Sequence, residues 1–267
     1  MLPKQCDALC DEFDLDDTAT WLRQPFGGYG EPLLEAMGAE EIVSIDASGY
    51  EGASVIHDMN LPVPVELCER FDIVVDGGTI EHVFSPSVAL SNMMKMVKVG
   101  GSLIIWTPAN NLCGHGFYQF SPEFFFSALS HDRGFDLCHM ALVECVFPSV
   151  SLVAPRRAYR VRSPQELRRR VLVRSRRPLM SLARAVKTSH LDDPFQRLPQ
   201  QSDYLAAWHG EKRDADWAGE AIARVQGAAL RMLRRSEAGR ATARWMQGLD
   251  ERRASSLRNR RSFTPER

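Results

Sequence analysis

Three short apolar runs, each ending in an aspartate, constrain the fold of this chain more than any other feature. They are residues 42–46 (IVSID), 54–58 (SVIHD) and 71–76 (FDIVVD). Short runs rich in valine and isoleucine are typical of buried strands. Residues 101–108 form a fourth such run, which is predicted to end at Pro108 because proline donates no hydrogen bond to a strand ladder.

Helical patterns separate these runs. Residues 32–37 precede Gly38, residues 85–99 precede Gly100, and residues 122–129 follow Ser121, a predicted N-cap. The methionines at 93, 94 and 96 are interpreted as core residues rather than ligands. Alternating strands and helices predict an α/β fold with a parallel sheet and helices on both faces. Ligands of such sheets bind beyond the carboxyl ends of the strands.

Two of the strand-end aspartates are candidates for binding a nucleoside. Asp46 could accept hydrogen bonds from both ribose hydroxyls, with Ala47 beside it. Asp58 could accept from an adenine amino group, with Met59 next to the ring. For Asp46 the alternative is a structural role in a turn or at a helix start, and for Asp58 the signal alone is weak.

The third strand runs into residues 76–83 (DGGTIEHV), which carry the strongest chemical signal. Gly77 and Gly78 would let the backbone approach a ligand closely. Glu81 and His82 follow, and His82 could act as a general base because imidazole titrates near neutral pH. The alternative is a hydrogen-bonded structural histidine.

Residues 71–83 and 94–108 (MKMVKVGGSLIIWTP) together resemble class I S-adenosylmethionine-dependent methyltransferases. The resemblance is closest to bacterial methyltransferase-domain proteins associated with surface-glycan biosynthesis, through residues 45–53, 107–111, 114–122 and 256–263. It implies a Rossmann-like, doubly wound sheet and S-adenosyl-L-methionine as the methyl donor. It also implies Asp46 at the ribose, Asp58 and Met59 near the adenine, and the methionine portion beside Asp76, Gly77, Gly78 and Thr79.

The glycine-rich loop of that superfamily has no clear counterpart here. Superfamily members place it after a first strand, ahead of the strand that ends at the ribose carboxylate. Residues 27–30 (GGYG) contain glycines, but the preceding residues 14–20 are polar and acidic rather than strand-like. In the surface-glycan-associated group the first strand lies further upstream, so the resemblance implies a first strand near residues 2–5, which is expected to be truncated in this chain.

A second histidine lies after the strand that ends in Thr107 and Pro108. His115 is flanked by Gly114 and Gly116, which leave it sterically open, so it is a second candidate base. Tyr118 and Phe120 could line an acceptor pocket. The alternative for all three is packing at the rim of the sheet.

The charge is divided between two halves. Residues 1–155 contain 6 lysines and arginines against 22 acidic residues, a net charge of −16, and residues 156–267 carry +15. The basic half could pack on the acidic half, attract an anionic acceptor such as a sugar nucleotide or lipid-linked glycan, or bind nucleic acid, which is the least favoured.

Two domains are predicted: a methyltransferase-like α/β domain over residues 1–187 and a basic, mainly helical extension over residues 188–267. Residues 178–186 are interpreted as a last strand and residues 188–203 as a linker. Residues 214–249 have helical spacing, and the tail from 252 to 267 is expected to be disordered or to wrap the domain.

The six cysteines lack metal-ligand spacing, so no metal site is predicted and mostly buried, reduced thiols are expected. No apolar run reaches the roughly 20 residues of a membrane-spanning helix, and no secretory signal is recognised. A cytoplasmic protein is expected, with peripheral membrane contact and the oligomeric state left open.

The leading hypothesis is methyl transfer from S-adenosyl-L-methionine to a small-molecule or glycan-type acceptor. His82 or His115 would remove the acceptor proton, with Glu81 beside them. A catalytically inactive methyltransferase-like scaffold or partner protein is the alternative, and a nucleic-acid methyltransferase is less favoured.

Overall fold

The structure is a computed structural model that describes residues 30–145, 157–208 and 255–266. The described helices are α1 (Glu31–Ala36), α2 (Pro86–Met96), α3 (Pro122–Ala128), α4 (Pro164–Leu167) and α5 (Ser202–Trp208), with 3-10 turns at Val65–Leu67, Ile80–His82 and His131–Arg133. The described strands are β1 (Ile45–Asp46), β2 (Val55–Ile56), β3 (Phe71–Asp76), β4 (Val97–Asn110), β5 (Phe135–Glu144), β6 (Ala158–Val161), β7 (Leu179–Lys187) and β8 (Phe263–Glu266).

The predicted α/β class is confirmed, but the sheet is mixed rather than parallel. Six strands lie in the order β3-β4-β7-β5-β6-β8, and β1 pairs with β2 separately. The β1–β2 and β3–β4 pairs are parallel, whereas β7 is antiparallel to both β4 and β5. The prediction of a parallel sheet was wrong for these antiparallel pairs, because an apolar run in the sequence carries no information about the direction of its strand.

The boundary between α2 and β4 lies earlier than predicted. The helix ends at Met96 and the strand begins at Val97, so Gly100 and Gly101 lie inside the strand. Buried Lys187 explains the early helix end, because its Nζ donates to the carbonyl oxygens of Met94 at 3.2 Å and Val97 at 2.8 Å. A lysine at this position satisfies carbonyls that the helix itself cannot.

The strand also continues past Pro108, which was predicted to end it. Pro108 lies opposite Met180 of β7, and its carbonyl oxygen accepts from the Phe120 N–H at 2.7 Å. The N–H and C=O of a strand residue point to the same side, so the proline nitrogen faces away from β7. The ladder between β4 and β7 therefore loses no hydrogen bond at Pro108.

The hydrophobic core lies between the sheet and its helices. Leu90, Met93, Met94 and Met96 of α2 are buried, as are Leu103 and Ile105 of β4, so the interpretation of the methionines as core residues is confirmed. The strand predicted at 178–186 is also confirmed as β7, but it is not the last strand, because β8 follows it in the chain.

Part of the predicted extension joins the sheet. β8 pairs antiparallel with β6, and its Phe263 is fully buried. This strand was not predicted from the sequence. Most of the predicted linker is irregular until α5 begins at Ser202. The expected first strand, the polar stretch at 14–20, most of the 27–30 glycine cluster and the helix at 214–249 lie outside the described residues, and the domain boundary stays a prediction.

Ion pairs join the acidic and basic halves. Lys187 Nζ and His190 Nδ1 contact Glu69 Oε1 at 3.1 and 2.8 Å, and an Arg177 nitrogen lies 3.5 Å from a Glu144 oxygen. These contacts support the interpretation that the two halves pack on each other. No helix within the three described ranges combines the length and the apolarity that a membrane span requires.

The cysteines do not follow the expectation of burial. Cys145 is buried and Cys68 is partly buried, but Cys113 and Cys138 are exposed. All four of these described cysteines are thiols. Cys6 and Cys10 lie outside the described residues.

Candidate functional site

Asp46 lies at the carboxyl end of β1, where the sequence placed it. Its Oδ1 accepts hydrogen bonds from the Ser48 N–H at 2.7 Å and the Ser48 hydroxyl at 3.0 Å. Within the part of the chain that the structure describes, Oδ2 has no partner. Asp46 and the neighbouring Ala47 are exposed. Asp46 therefore stabilises the turn through Oδ1 and leaves Oδ2 where a ligand could reach it.

Asp58 has a similar turn geometry after β2. Its Oδ1 accepts from the backbone N–H of Asn60 at 2.9 Å and from its side-chain amide at 2.7 Å. These hydrogen bonds lower the pKa of Asp58. Met59 is 8% exposed and packs in the hydrophobic core, so its contact with an adenine ring stays a prediction.

The loops after β2 and β3 are joined by asparagine side chains. The Ser85 N–H donates to Asn60 Oδ1 at 2.9 Å, which holds the Asp58 loop against the start of α2. Buried Asn92 donates to the Met59 and Leu61 carbonyl oxygens at 3.3 and 2.8 Å. These bonds hold the loop after β2 against α2, the helix that follows the turn of Glu81 and His82. Asn92 was not predicted from the sequence, where its only signal is a polar residue on the apolar face of a predicted helix.

Asp76 shapes the glycine loop that follows β3. Its Oδ1 accepts from the N–H groups of Gly78 at 3.1 Å and Thr79 at 2.7 Å, and its Oδ2 accepts from Ile80 at 3.3 Å. Burial raises the pKa of the Asp76 carboxyl, these backbone donors lower it, and the nearby Glu81 raises it further. Both oxygens thus serve the loop itself, so a contact of Asp76 with a ligand would be indirect.

The two glycines of this loop differ. Gly78 has a φ of +121°, which disfavours any larger residue, and a Cβ there would lie 3.2 Å from Glu81 Oε1. Gly77 is exposed, and no heavy atom lies within 4 Å of the position that its Cβ would take. Open space at Gly77 is what a close approach by a ligand requires.

The three predicted catalytic residues lie together. Glu81 is buried, with 1% of its side chain exposed, whereas the side chains of His82 and His115 are 50% and 40% exposed. The Nε2 atoms of His115 and His82 lie 3.5 and 4.0 Å from Glu81 Oε1, and the two ring centroids are 5.3 Å apart. The structure therefore brings together two histidines that are separated by 33 positions in the sequence.

Glycine and backbone hydrogen bonds hold the His115 loop against Glu81. The N–H groups of Phe117 and Tyr118 donate to the Glu81 carbonyl oxygen at 2.8 and 3.2 Å. A Cβ on Gly116 would lie 2.8 Å from the same oxygen, which is too close for any other residue. Gly116 is thus required by this approach of the two loops, in addition to leaving His115 open.

The second oxygen of Glu81 is held by β4. Thr107 Oγ1 donates to Glu81 Oε2 at 2.8 Å, and both side chains are fully buried. Glu81 Oε1 has no hydrogen-bond donor among the described residues. A buried carboxylate oxygen without a partner is rare, because desolvation without compensation is costly.

The prediction that Phe120 lines an acceptor pocket is wrong, because Phe120 is buried in the core. The hydroxyl of Tyr118, the other predicted pocket residue, already donates to the Phe84 carbonyl oxygen at 2.8 Å. Instead, Phe84 and Phe117 are 69% and 68% exposed and contact each other edge to face, with centroids 5.8 Å apart. Neither phenylalanine was predicted from the sequence as a site residue. Apolar residues in otherwise polar loops beside the two histidines were the available signal.

Two further surface features lie elsewhere. A cavity of about 620 Å³ lies beside the 3-10 turn at His131–Arg133, lined in part by Gln165, Arg197 and Leu205, and it includes none of the predicted site residues. Arg169 lies near Arg162 and Arg261, and burial together with these two charges lowers its pKa. Because β6 and β8 lie at the sheet edge opposite β3, this arginine cluster is distant in the sheet order from Glu81.

Comparisons with family models, with curated proteins and with solved structures find no match to this chain.

Proposed function

We propose that this chain is an S-adenosyl-L-methionine-dependent methyltransferase with a Rossmann-like fold that acts on a small-molecule or glycan-type acceptor. The observation that carries the proposal is the hydrogen bond from the Ser85 N–H to Asn60 Oδ1. This bond joins the loop of Asp58 to the segment that follows Glu81 and His82. A nucleoside-binding carboxylate and a proton-accepting cluster would then share one edge, as methyl transfer requires.

In this proposal the cofactor spans the carboxyl ends of β1, β2 and β3. Asp46 Oδ2 accepts from the ribose hydroxyls beside Ala47, and the exposed Asp58 carboxylate accepts from the adenine amino group. The methionine portion lies over Gly77, where the backbone is open. Asp76, Gly78 and Thr79 support this contact by fixing the loop.

The chemistry is an in-line displacement at the sulfonium methyl group. The acceptor oxygen or nitrogen forms a bond to the methyl carbon while the carbon–sulfur bond breaks, and the electron pair leaves with S-adenosylhomocysteine. The acceptor proton passes to Nε2 of His82 or His115, and the buried Glu81 carboxylate beside these atoms stabilises the positive charge that the imidazole gains. Positioning supplies most of the acceleration, because the sulfonium donor is already activated.

The acceptor is proposed to lie against Phe84 and Phe117. Their exposed rings flank the two histidine loops, and aromatic faces offer apolar contact to the C–H face of a sugar ring. An anionic acceptor is compatible with the arginine-rich second half of the chain, although the Arg162, Arg169 and Arg261 cluster lies at the other edge of the sheet.

Calorimetric titration of the full chain with S-adenosylmethionine and S-adenosylhomocysteine tests the proposal. We expect one site with micromolar affinity. Asp46→Asn keeps an acceptor for Ser48 but removes the charge, and we expect it to weaken binding about tenfold, as for one lost charge-assisted hydrogen bond. Asp72→Asn is the matched control, because Asp72 is exposed and pairs only with Lys98 in the described structure.

The opposite result has a defined meaning. A folded chain that binds neither compound would overturn the enzyme proposal in favour of an inactive scaffold or partner protein. Equal affinities of the Asp46→Asn and unsubstituted chains would overturn the ribose assignment alone.

A further inference from the structure

We propose that Glu81, His82 and His115 form a binding site for a divalent transition-metal ion, with Zn²⁺ as the best-fitting candidate. The three side chains offer one carboxylate oxygen and two imidazole nitrogens, and these ligand atoms all lie within 4.8 Å of one another. Two histidines and one carboxylate are a donor set of catalytic zinc and non-heme iron sites. No metal site was predicted from the sequence, because the cysteines lack metal-ligand spacing.

The unpartnered oxygen of Glu81 is the independent observation behind this inference. Glu81 Oε1 is buried without a donor from any described residue, and it faces the Nε2 atoms of both histidines. Neither imidazole forms a hydrogen bond with it in the described structure. A cation between the three atoms would compensate the buried charge, as buried charges require.

The distances fit an ion after a small adjustment. Ligand atoms at about 2.0–2.2 Å from a tetrahedral ion lie about 3.4 Å apart. Glu81 Oε1 lies 3.5 Å from His115 Nε2, which fits directly, and 4.0 Å from His82 Nε2, which must move closer. The side chain of His82 is half exposed, so this rotation displaces no core residue.

The surroundings of Glu81 are those of a ligand rather than of a solvated carboxylate. Thr107 holds the other carboxylate oxygen in place, and ligating carboxylates are generally oriented in this way by a hydrogen bond. The backbone bonds from Phe117 and Tyr118 to the Glu81 carbonyl oxygen fix the loop of His115. Two of the three ligands are therefore positioned before any ion binds.

Three protein ligands leave a coordination position for another molecule. In a four-coordinate site that position is open to water or to an acceptor hydroxyl. This use of the ion rests on the proposed methyl transfer: His82 and His115 would then hold the ion, which would lower the pKa of the bound acceptor hydroxyl, and the acceptor proton would pass to solvent water instead of to Nε2. The binding of the ion itself needs no methyl donor.

The test is titration of the full, chelator-treated chain with ZnCl₂ by calorimetry and with CoCl₂ by visible absorption. We expect one equivalent to bind, with a cobalt spectrum of nitrogen and oxygen ligation. His82→Ala and His115→Ala should each weaken binding at least about tenfold, the lower end of what even supporting residues contribute. His131→Ala is the matched control, because His131 is exposed and lies by Asp136, outside the cluster.

Three outcomes would overturn the inference. These are no binding by the folded chain, equal affinity in the double His82→Ala, His115→Ala variant, and a cobalt–thiolate charge-transfer band, which would assign the ion to a cysteine such as exposed Cys113. Circular dichroism checks that each variant is folded. Titration with S-adenosylhomocysteine is done separately, so that ion binding without cofactor binding would overturn the proposed function and leave the metal site standing.

Discussion

Thr107 and Glu81 form a fully buried pair in which the threonine hydroxyl donates to one carboxylate oxygen at 2.8 Å and leaves the other oxygen facing two histidines. Thr107 comes from β4 and Glu81 from the turn after β3, so the pair ties two parallel strands together at their carboxyl ends. The carboxylate is thus oriented by the sheet and not by the loop that carries it.

Thr107→Val tests this pair. Valine keeps the shape but removes the donor, so we expect the free energy of unfolding to fall by about 1–3 kcal/mol, the cost of an unsatisfied buried acceptor. Thr107→Ser retains the hydroxyl and should recover most of that loss. Urea denaturation measures both, and equal stabilities of the valine and serine variants would show that the hydrogen bond contributes nothing.

Two glycine substitutions separate folding from ligand approach. Gly77→Ala meets no atom within 4 Å, so stability should be unchanged while S-adenosylmethionine affinity falls if the ligand packs there. Gly116→Ala places a Cβ 2.8 Å from the Glu81 carbonyl oxygen and should cost about 1–3 kcal/mol of stability. Thermal unfolding and calorimetry measure the two effects. If the Gly77→Ala variant bound S-adenosylmethionine with full affinity, the methionine portion of the cofactor would not lie at Gly77.

Asn92 is expected to hold the Asp58 loop. Asn92→Leu removes donors from two carbonyl oxygens and the acceptor for the Val63 N–H at 2.9 Å. We expect a loss of about 2–4 kcal/mol in urea denaturation, because several buried polar groups lose their partner. Faster hydrogen exchange at the Val63 amide should accompany it, and unchanged exchange would contradict the role of Asn92 in this loop.

Lys187 is expected to contribute far more stability than an exposed lysine. Its side chain is 3% exposed and contacts Glu69 and the two carbonyl oxygens at the end of α2. Lys187→Met should lower the free energy of unfolding by about 2–4 kcal/mol, since it leaves two buried carbonyl oxygens without a donor and removes one of the two cations that contact Glu69. Lys98→Met, which breaks an exposed pair with Asp72, should cost no more than about 1 kcal/mol.

The contact between His190 and Glu69 predicts a pH dependence. Hydrogen bonds to Glu69 and then to Asp192 raise the pKa of His190. A raised folded-state pKa means that this stabilisation is complete below the unfolded value of about 6.5 and is lost as the pH rises through the folded value. The free energy of unfolding, measured from pH 6 to 9, should therefore decrease as the pH rises, and the decrease should be smaller in His190→Gln.

Glu69 sets the acid limit of the pH range in which its contact with His190 stabilises the fold. Hydrogen bonds from His190 and then from Lys187 lower its pKa, so its stabilisation is present above the unfolded value of about 4.5 and is lost as the pH falls. The contact should therefore be most stabilising between about pH 4.5 and 6.5. If the free energy of unfolding of His190→Gln decreased above pH 6.5 as much as that of the unsubstituted chain, the decrease would come from another group.

The strands β1 and β3, which end at Asp46 and Asp76, and β2, which ends two residues before Asp58, were predictable together with α2, α3 and β7, because their apolar patterns reflect burial on one side or both. The sequence also indicated Glu81, His82 and His115 as chemically capable residues. It gave no sign of strand direction, so the antiparallel insertion of β7 was missed. The sequence pattern also placed the end of α2 too late. The reason is that Lys187, which donates to the carbonyl oxygens at that end, is 91 positions away from Met96.

By itself, the sequence determined the α/β class, the aspartates at the strand ends and the residue types available for chemistry, since these depend on local pattern and composition. Only the tertiary structure decided that Asp76 serves its own loop, that Asn92 joins the β2 loop to α2, and that one oxygen of Glu81 faces both histidines. These relationships are contacts between positions far apart in the chain, and their geometry is set by how the sheet packs.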